Sequence, residues 1–153
     1  MIQAATPDET RAIGGRLAGA LRDAPRDQAF LITLSGDLGA GKTTLVGGFL
    51  AALGHAGPAR SPTYTLIEPY RLAGRDIHHC DLYRLRHPDE LDDLGLRDLQ
   101  GAGSVLLVEW PEQAAGRLGA TDLALTLDYA GPDARNLVIE ARSPVGRAVL
   151  QRL

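Results

Sequence analysis

The sequence predicts an α/β fold with a mixed, partly antiparallel central sheet, and three observations predict it. Two short, almost wholly apolar runs, Phe30 to Leu34 and Val105 to Val108, read as strands buried on both faces. A glycine-rich stretch, Gly36 to Thr43, follows the first run directly and leads into a helical pattern. Elsewhere strand and helix patterns alternate, with one hairpin-like pair, which is the order of a layered α/β sandwich.

Taken in order, Thr6-Pro7-Asp8-Glu9 has a hydroxyl at an N-cap, proline at the first helical position and glutamate three residues on, so a helix starts there. Ile13, Leu17 and Leu21 give it one apolar stripe, which Gly14, Gly15 and Gly19 weaken. A second helix runs from Thr43 to about Leu53, closed by Gly54. The stretch from Gly54 to Pro62 reads as an exposed loop. Thr63 to Tyr70 and Asp76 to Cys80 read as an antiparallel hairpin turning at Leu72 to Arg75. Helices follow after Pro88 and near Glu112 to Leu118, strands near Leu123 to Tyr129 and Leu137 to Ala141, and a last helix after Ser143-Pro144. No internal repeat or linker interrupts this order, so residues 1–153 are expected to form a single domain.

A net charge of −3 provides no basic face, which disfavours tight direct binding to RNA. The single cysteine, Cys80, cannot form an internal disulfide and fits a reducing compartment. The N-terminus shows no basic segment followed by an apolar run, and no stretch approaches the length of a membrane span. A cytoplasmic location and no membrane partner are the expectation.

Gly36-Asp37-Leu38-Gly39-Ala40-Gly41-Lys42-Thr43 fits the phosphate-loop pattern of glycine, four residues and Gly-Lys-Thr, between a strand and a helix as that motif requires. Glycines let the backbone curl so that amides, those of Gly39, Ala40 and Gly41 among them, can point at phosphate oxygens, and the helix N-terminus adds its positive dipole end. Lys42 is placed to reach the β- and γ-phosphates, Thr43 to offer its hydroxyl to Mg²⁺ and Thr44 to bond a more inner phosphate. The predicted cofactors are therefore ATP or ADP with Mg²⁺. Such a site needs a carboxylate at the end of a neighbouring strand. Two compete: Glu109 after Val105 to Val108, and Asp81 after Ile77 to Cys80. Because the run before Glu109 is the more apolar, Glu109 is assigned to the metal and Asp81 to the attacking water or the metal's outer shell.

Four blocks together, Gly36 to Thr44, Ser61-Pro62-Thr63-Tyr64-Thr65-Leu66, His79-Cys80-Asp81-Leu82-Tyr83-Arg84 and Val108-Glu109-Trp110-Pro111, resemble in order the motifs of the TsaE (YjeE) family. The resemblance extends from about Thr10 to the C-terminus. It implies a P-loop NTPase-like three-layer sandwich and an ATPase of tRNA threonylcarbamoyladenosine (t6A) synthesis. Hydrolysis would then drive turnover of the TsaD and TsaB partners that modify adenosine 37 of ANN-decoding tRNAs, with tRNA met only through that complex. It further implies that Ser61, Thr63 and Tyr64 lie in a switch-like loop near the γ-phosphate and that Thr43 and Glu109 bind Mg²⁺. Asp81 would sit in the catalytic centre, Trp110 would sense the nucleotide, and Thr10 would lie near the adenine. Cys80 stands where an aromatic is common in that family.

On residue grounds alone, Ser61 to Tyr64 also reads as a turn entering a strand. His78 and His79 fall on opposite faces of a strand, so they cannot jointly bind one metal, and His79 reads as structural. Tyr83, Arg84 and Arg86 read as a partner surface or a solvated face, with a phosphate contact by Arg84 a further option. A small-molecule or nucleotide kinase shares the loop and the size, but the arginines around Arg84 and near Arg135 form no convincing lid. A regulatory GTPase is disfavoured because no Asn-Lys-x-Asp segment occurs. Catalysis in the isolated chain is expected to be slow, because phosphoryl transfer is often completed by a partner's residue.

Overall fold

The computed structural model describes residues 1–59, 62 and 65–153. Its strands are β1 (Ile2–Ala4), β2 (Phe30–Ser35), β3 (Ile67–Leu72), β4 (Arg75–Asp81), β5 (Val105–Glu109), β6 (Leu123–Tyr129) and β7 (Arg135–Ala141). They form one seven-stranded sheet in the order β1-β7-β6-β2-β5-β4-β3. The four central strands, β6, β2, β5 and β4, run parallel, while β7, β1 and β3 add antiparallel edges. A mixed α/β sheet is thus what forms.

The helices are α1 (Pro7–Leu21), α2 (Lys42–Ala52), α3 (Glu90–Asp93) and α4 (Pro144–Leu150), with a 3-10 helix at Pro111–Ala114. Thr6 caps α1 by accepting a bond from the Glu9 amide at 3.2 Å, and Glu9 reaches back to the Ala5 amide at 2.7 Å. Both faces of β2 and β5 are buried, which explains their nearly unbroken apolar runs. Ile32, Leu34, Ile77 and Leu107 pack with α1 and α2, while Leu31, Cys80, Leu106 and Val108 face α3, the 3-10 helix and the turns between them.

The glycines that weaken the helix pattern of α1 have a packing role. A Cβ on Gly14 would lie 2.0 Å from the Leu45 carbonyl oxygen, and one on Gly48 would lie 1.9 Å from that of Arg11. Backbones of α1 and α2 therefore touch, which no side chain at either position permits. Gly19, by contrast, has nothing within 4 Å of a built Cβ.

Three expectations change. The helix near Glu112 to Leu118 is only the 3-10 turn, because Ala115 and Gly116 adopt left-handed backbone with φ of 48° and 82°. The helix after Pro88 lasts one turn and ends at Gly95, whose φ is 68°. The strand expected from Thr63 starts at Ile67, with residues 63 and 64 outside the described set, and its hairpin turns tightly at Ala73 and Gly74, both at positive φ. β1 was not predicted; three residues are too few to show a period.

Candidate active site

β2 delivers the chain to Gly36, and α2 begins at Lys42 with Gly41 as its N-cap in left-handed backbone and no side-chain cap bond. First-turn amides are thus left for another acceptor. The outer side of the loop is fastened to the β6–β7 hairpin. The Tyr129 hydroxyl donates to the Leu38 carbonyl at 2.7 Å, and Arg135 donates from Nε to Ala40 at 3.0 Å and from Nη2 to Gly39 at 3.2 Å. The guanidinium lies 4.4 Å from the Tyr129 ring centre. Since the carbonyl and the following N–H of a trans peptide point opposite ways, holding the Leu38 and Ala40 carbonyls outward turns the Gly39 and Gly41 amides to the other side. Gly39 and Gly41 accordingly line a cavity of about 470 Å³. Ala40 does not, its N–H being bonded to the Asp37 carbonyl at 3.0 Å, and Gly36 shapes the loop without lining the cavity. At Gly39, φ is 80° and a Cβ would meet the Tyr129 hydroxyl at 2.6 Å, so glycine is required there twice over.

Lys42 is 4% exposed and its Nζ donates to the Gly36 and Asp37 carbonyls at 2.5 and 3.0 Å. It also sits 4.3 Å from the Trp110 ring centre, a cation–π distance. Burial lowers its pKa from the ordinary lysine value, opposed by Glu109, then Asp81, Glu112 and Asp37. Thr43 donates its hydroxyl to Glu109 Oε1 at 2.9 Å, bridging the start of α2 and the end of β5. The same oxygen lies 2.8 Å from Nε2 of His79, which is fully buried; in the tautomer that donates from Nε2, His79 orients the carboxylate. Asp81 is Glu109's register neighbour across β4 and β5, lines the cavity, and accepts the Tyr83 amide at 3.0 Å.

Trp110 takes φ 58° and ψ 50°, a left-handed backbone that costs a bulky residue roughly 1–2 kcal/mol. Such strain held beside a cavity is a mark of a functional position. Its ring rests 5.0 Å from that of Tyr83, and both line the cavity with Thr44, Pro62 and Arg84. Thr10 is buried behind Gly41, its hydroxyl 3.4 Å from the Thr6 carbonyl, and does not line the cavity. Ser61, Thr63 and Tyr64 lie outside the described residues.

Sequence reasoning missed Tyr129 and Arg135 and read His79 as structural without its partner Glu109. His79 shares the β4 face of Asp81, and their two-residue spacing is the signal that could have found it. Tyr129 and Arg135 flank the turn between β6 and β7 and carry no motif at all. Among the described residues no group of three or more His, Cys, Asp or Glu is arranged to hold a metal. One carboxylate beside a hydroxyl does fit Mg²⁺, which keeps waters and completes its shell with phosphate oxygens. No helix among the described residues is long and apolar enough to cross a membrane.

The family model described as "Threonylcarbamoyl adenosine biosynthesis protein TsaE" matches residues 4–137. The chain is 42% identical over 146 residues to the tRNA threonylcarbamoyladenosine biosynthesis protein TsaE of Haemophilus influenzae, covering 94% of this chain and 92% of that one. It is 38% identical over 135 residues to the TsaE protein of Bacillus subtilis, covering 88% and 81%. The fold is similar to the crystal structure of YdiB from Bacillus subtilis, with a TM-score of 0.76 and 30% identity, covering 98% of this chain and 90% of that one.

Proposed function

We propose that this chain, which belongs to the TsaE family of threonylcarbamoyl adenosine biosynthesis proteins, is a single-domain ATPase of P-loop NTPase type. It binds Mg-ATP in the cavity beside Gly36 to Thr43 and hydrolyses it to drive turnover of the TsaD–TsaB complex that modifies adenosine 37. The observation that carries the reading is the hydrogen bond from Thr43 to Glu109, which joins the hydroxyl and the carboxylate that a Mg-nucleotide site needs.

The residues divide the work as follows. The inward amides of Gly39 and Gly41 and the N-terminus of α2 bind phosphate oxygens, and Lys42 exchanges its two loop carbonyls for the β- and γ-oxygens. Thr43 and Glu109 hold the metal, with His79 keeping the carboxylate in place. Mg²⁺ held by Thr43 and Glu109 would supply positive charge to offset the negative charge that builds up during phosphoryl transfer. Asp81, on the same sheet face, orients the attacking water, and Trp110 closes over Lys42. The net charge of −3 accords with a factor that meets tRNA through its protein partners.

The test is phosphate release and t6A formation in a mixture of the chain with TsaD, TsaB and tRNA. Phosphate is expected to be released with no labelled acceptor, and Lys42→Ala to lose both activities. Normal t6A formation by Lys42→Ala, or transfer of the γ-phosphate to a nucleoside or sugar, would overturn the reading.

A further inference from the structure

At the opposite end of the sheet from the phosphate loop, a cleft of about 120 Å³ opens between the C-terminal ends of α1 and α2 and the β3–β4 turn. Its wall is apolar, with Leu21, Phe49 and Val105, and three arginines line it: Arg22, Arg26 and Arg75. Arg75 is only 7% exposed. Its Nη2 donates to the Ala24 carbonyl at 3.0 Å, and Arg26 donates from Nη1 to the Gly74 carbonyl at 3.4 Å. Capping a carbonyl in this way uses one of the five N–H groups that each guanidinium carries.

None of the three arginines forms an ion pair with a described residue, although arginines elsewhere do. Arg71, on the same hairpin, pairs with Asp76 at 3.0 Å, and Arg117 and Arg142 also find carboxylates. A cation withdrawn from water without an anion is unfavourable, and here a second cation stands beside it. Burial, and then the neighbouring Arg26, lower the pKa of Arg75. Like-charged guanidiniums facing one cavity are what a bound oxyanion would stabilise, through charge-assisted and bidentate bonds.

We propose that this arginine-lined cleft is a second binding site, for a small oxyanion of the phosphate or carboxylate class, distinct from the nucleotide cavity. Its volume admits one such headgroup with a few carbons and no nucleotide. The apolar wall suits a short carbon chain, and the guanidiniums suit either headgroup.

The test is a titration of the full-length, ¹⁵N-labelled protein with inorganic phosphate and, separately, with sodium butyrate at constant ionic strength. Saturable amide shifts at Ala24, Ala73, Gly74 and Arg75 are expected from at least one of the two probes. A response to phosphate alone assigns the site to phosphate groups. A response to butyrate, with shifts at Val105 and Leu53, assigns it to carboxylates that carry an apolar chain. The amides of Gly39 and Gly41 report separately on phosphate at the loop, so the two ends cannot be confused. Arg75→Gln risks the fold, whereas Arg26 is exposed, and Arg26→Ala is expected to weaken binding about tenfold. Shifts that stay linear in both probes, or an affinity unchanged in a folded Arg26→Ala protein, would overturn the proposal.

Discussion

The two sides of the loop from Gly36 to Gly41 are built on different principles. Facing the cavity are a lysine, a hydroxyl and two carboxylates, drawn from short blocks that sit at strand ends. Facing away, the same loop is fastened by Tyr129 and Arg135, which are 91 to 96 residues further along the chain. α2, which the loop opens, is pressed on α1 through backbone contact at Gly14 and Gly48. If the chain is the ATPase proposed above, groups on the inner side would act in the reaction, and those on the outer side would set the shape of the loop. Substitutions on the inner side should therefore act on turnover, and those on the outer side on affinity and stability.

The largest expected effect is on the inner side. Glu109→Gln keeps the shape of the side chain and one oxygen for Thr43 and His79 but removes the charge. ATP hydrolysis in the presence of partners is expected to fall by roughly 10²–10³-fold, the scale on which single electrostatic groups act. ADP binding in the absence of metal should change little. Calorimetric titration with ADP alongside single-turnover hydrolysis separates the two. An equal loss of both would break the distinction between the sides.

On the outer side the largest effect is on folding. Gly48→Ala sets a Cβ 1.9 Å from the Arg11 carbonyl oxygen, so α1 and α2 must move apart. A loss of about 2–3 kcal/mol is expected, seen as a melting temperature lower by roughly 5–10 °C. Gly19→Ala makes the contrast, because it meets nothing and gains helix propensity of about 0.5–1 kcal/mol. Equal melting temperatures for the two variants would deny the close contact.

The same division explains what the sequence made legible. The inner side is written in local blocks at strand ends, so Gly39, Gly41, Lys42, Thr43, Asp81 and Glu109, which line one cavity, could be picked out as candidates without a structure. His79 was half-readable: its strand face was evident, but which partner that face met depended on β5. Tyr129 and Arg135 act only through tertiary pairing of β6 with β2, and no local pattern encodes that. The helix at α1 is legible from its cap, while Gly14 counts against it only as long as the α2 backbone it touches is out of view. The arginine cleft was silent for the same reason, since Arg75 meets Arg22 and Arg26 only through the tertiary fold.

A smaller effect tests the fastening itself. Arg135→Ala removes two bonds to loop carbonyls and is expected to weaken ADP binding about tenfold. Tyr129→Phe removes one bond from a half-exposed hydroxyl and should cost roughly two- to fivefold. In both variants hydrolysis at saturating ATP should stay close to that of the unaltered protein. A fall in saturated turnover with unchanged affinity would move these residues to the inner side.

The smallest effect is a displacement along pH. Only protonated Lys42 attracts phosphate, and its burial puts its pKa below the ordinary 10.5, while Glu109 is the foremost group holding it up. Affinity for ADP without metal is therefore expected to fall as pH rises through a folded value lower than that of a free lysine. Removing the carboxylate charge in Glu109→Gln takes away that support, so the fall should begin at lower pH. Arg135→Ala stands behind the loop and does not figure among the charges acting on Lys42, so it should lower affinity at every pH and leave the onset where it was. ADP titrations at stepped pH, with circular dichroism to show that the fold persists, measure both quantities. An onset that moves with Arg135→Ala but not with Glu109→Gln would place the electrostatic control of Lys42 on the outer side of the loop, against the division drawn here.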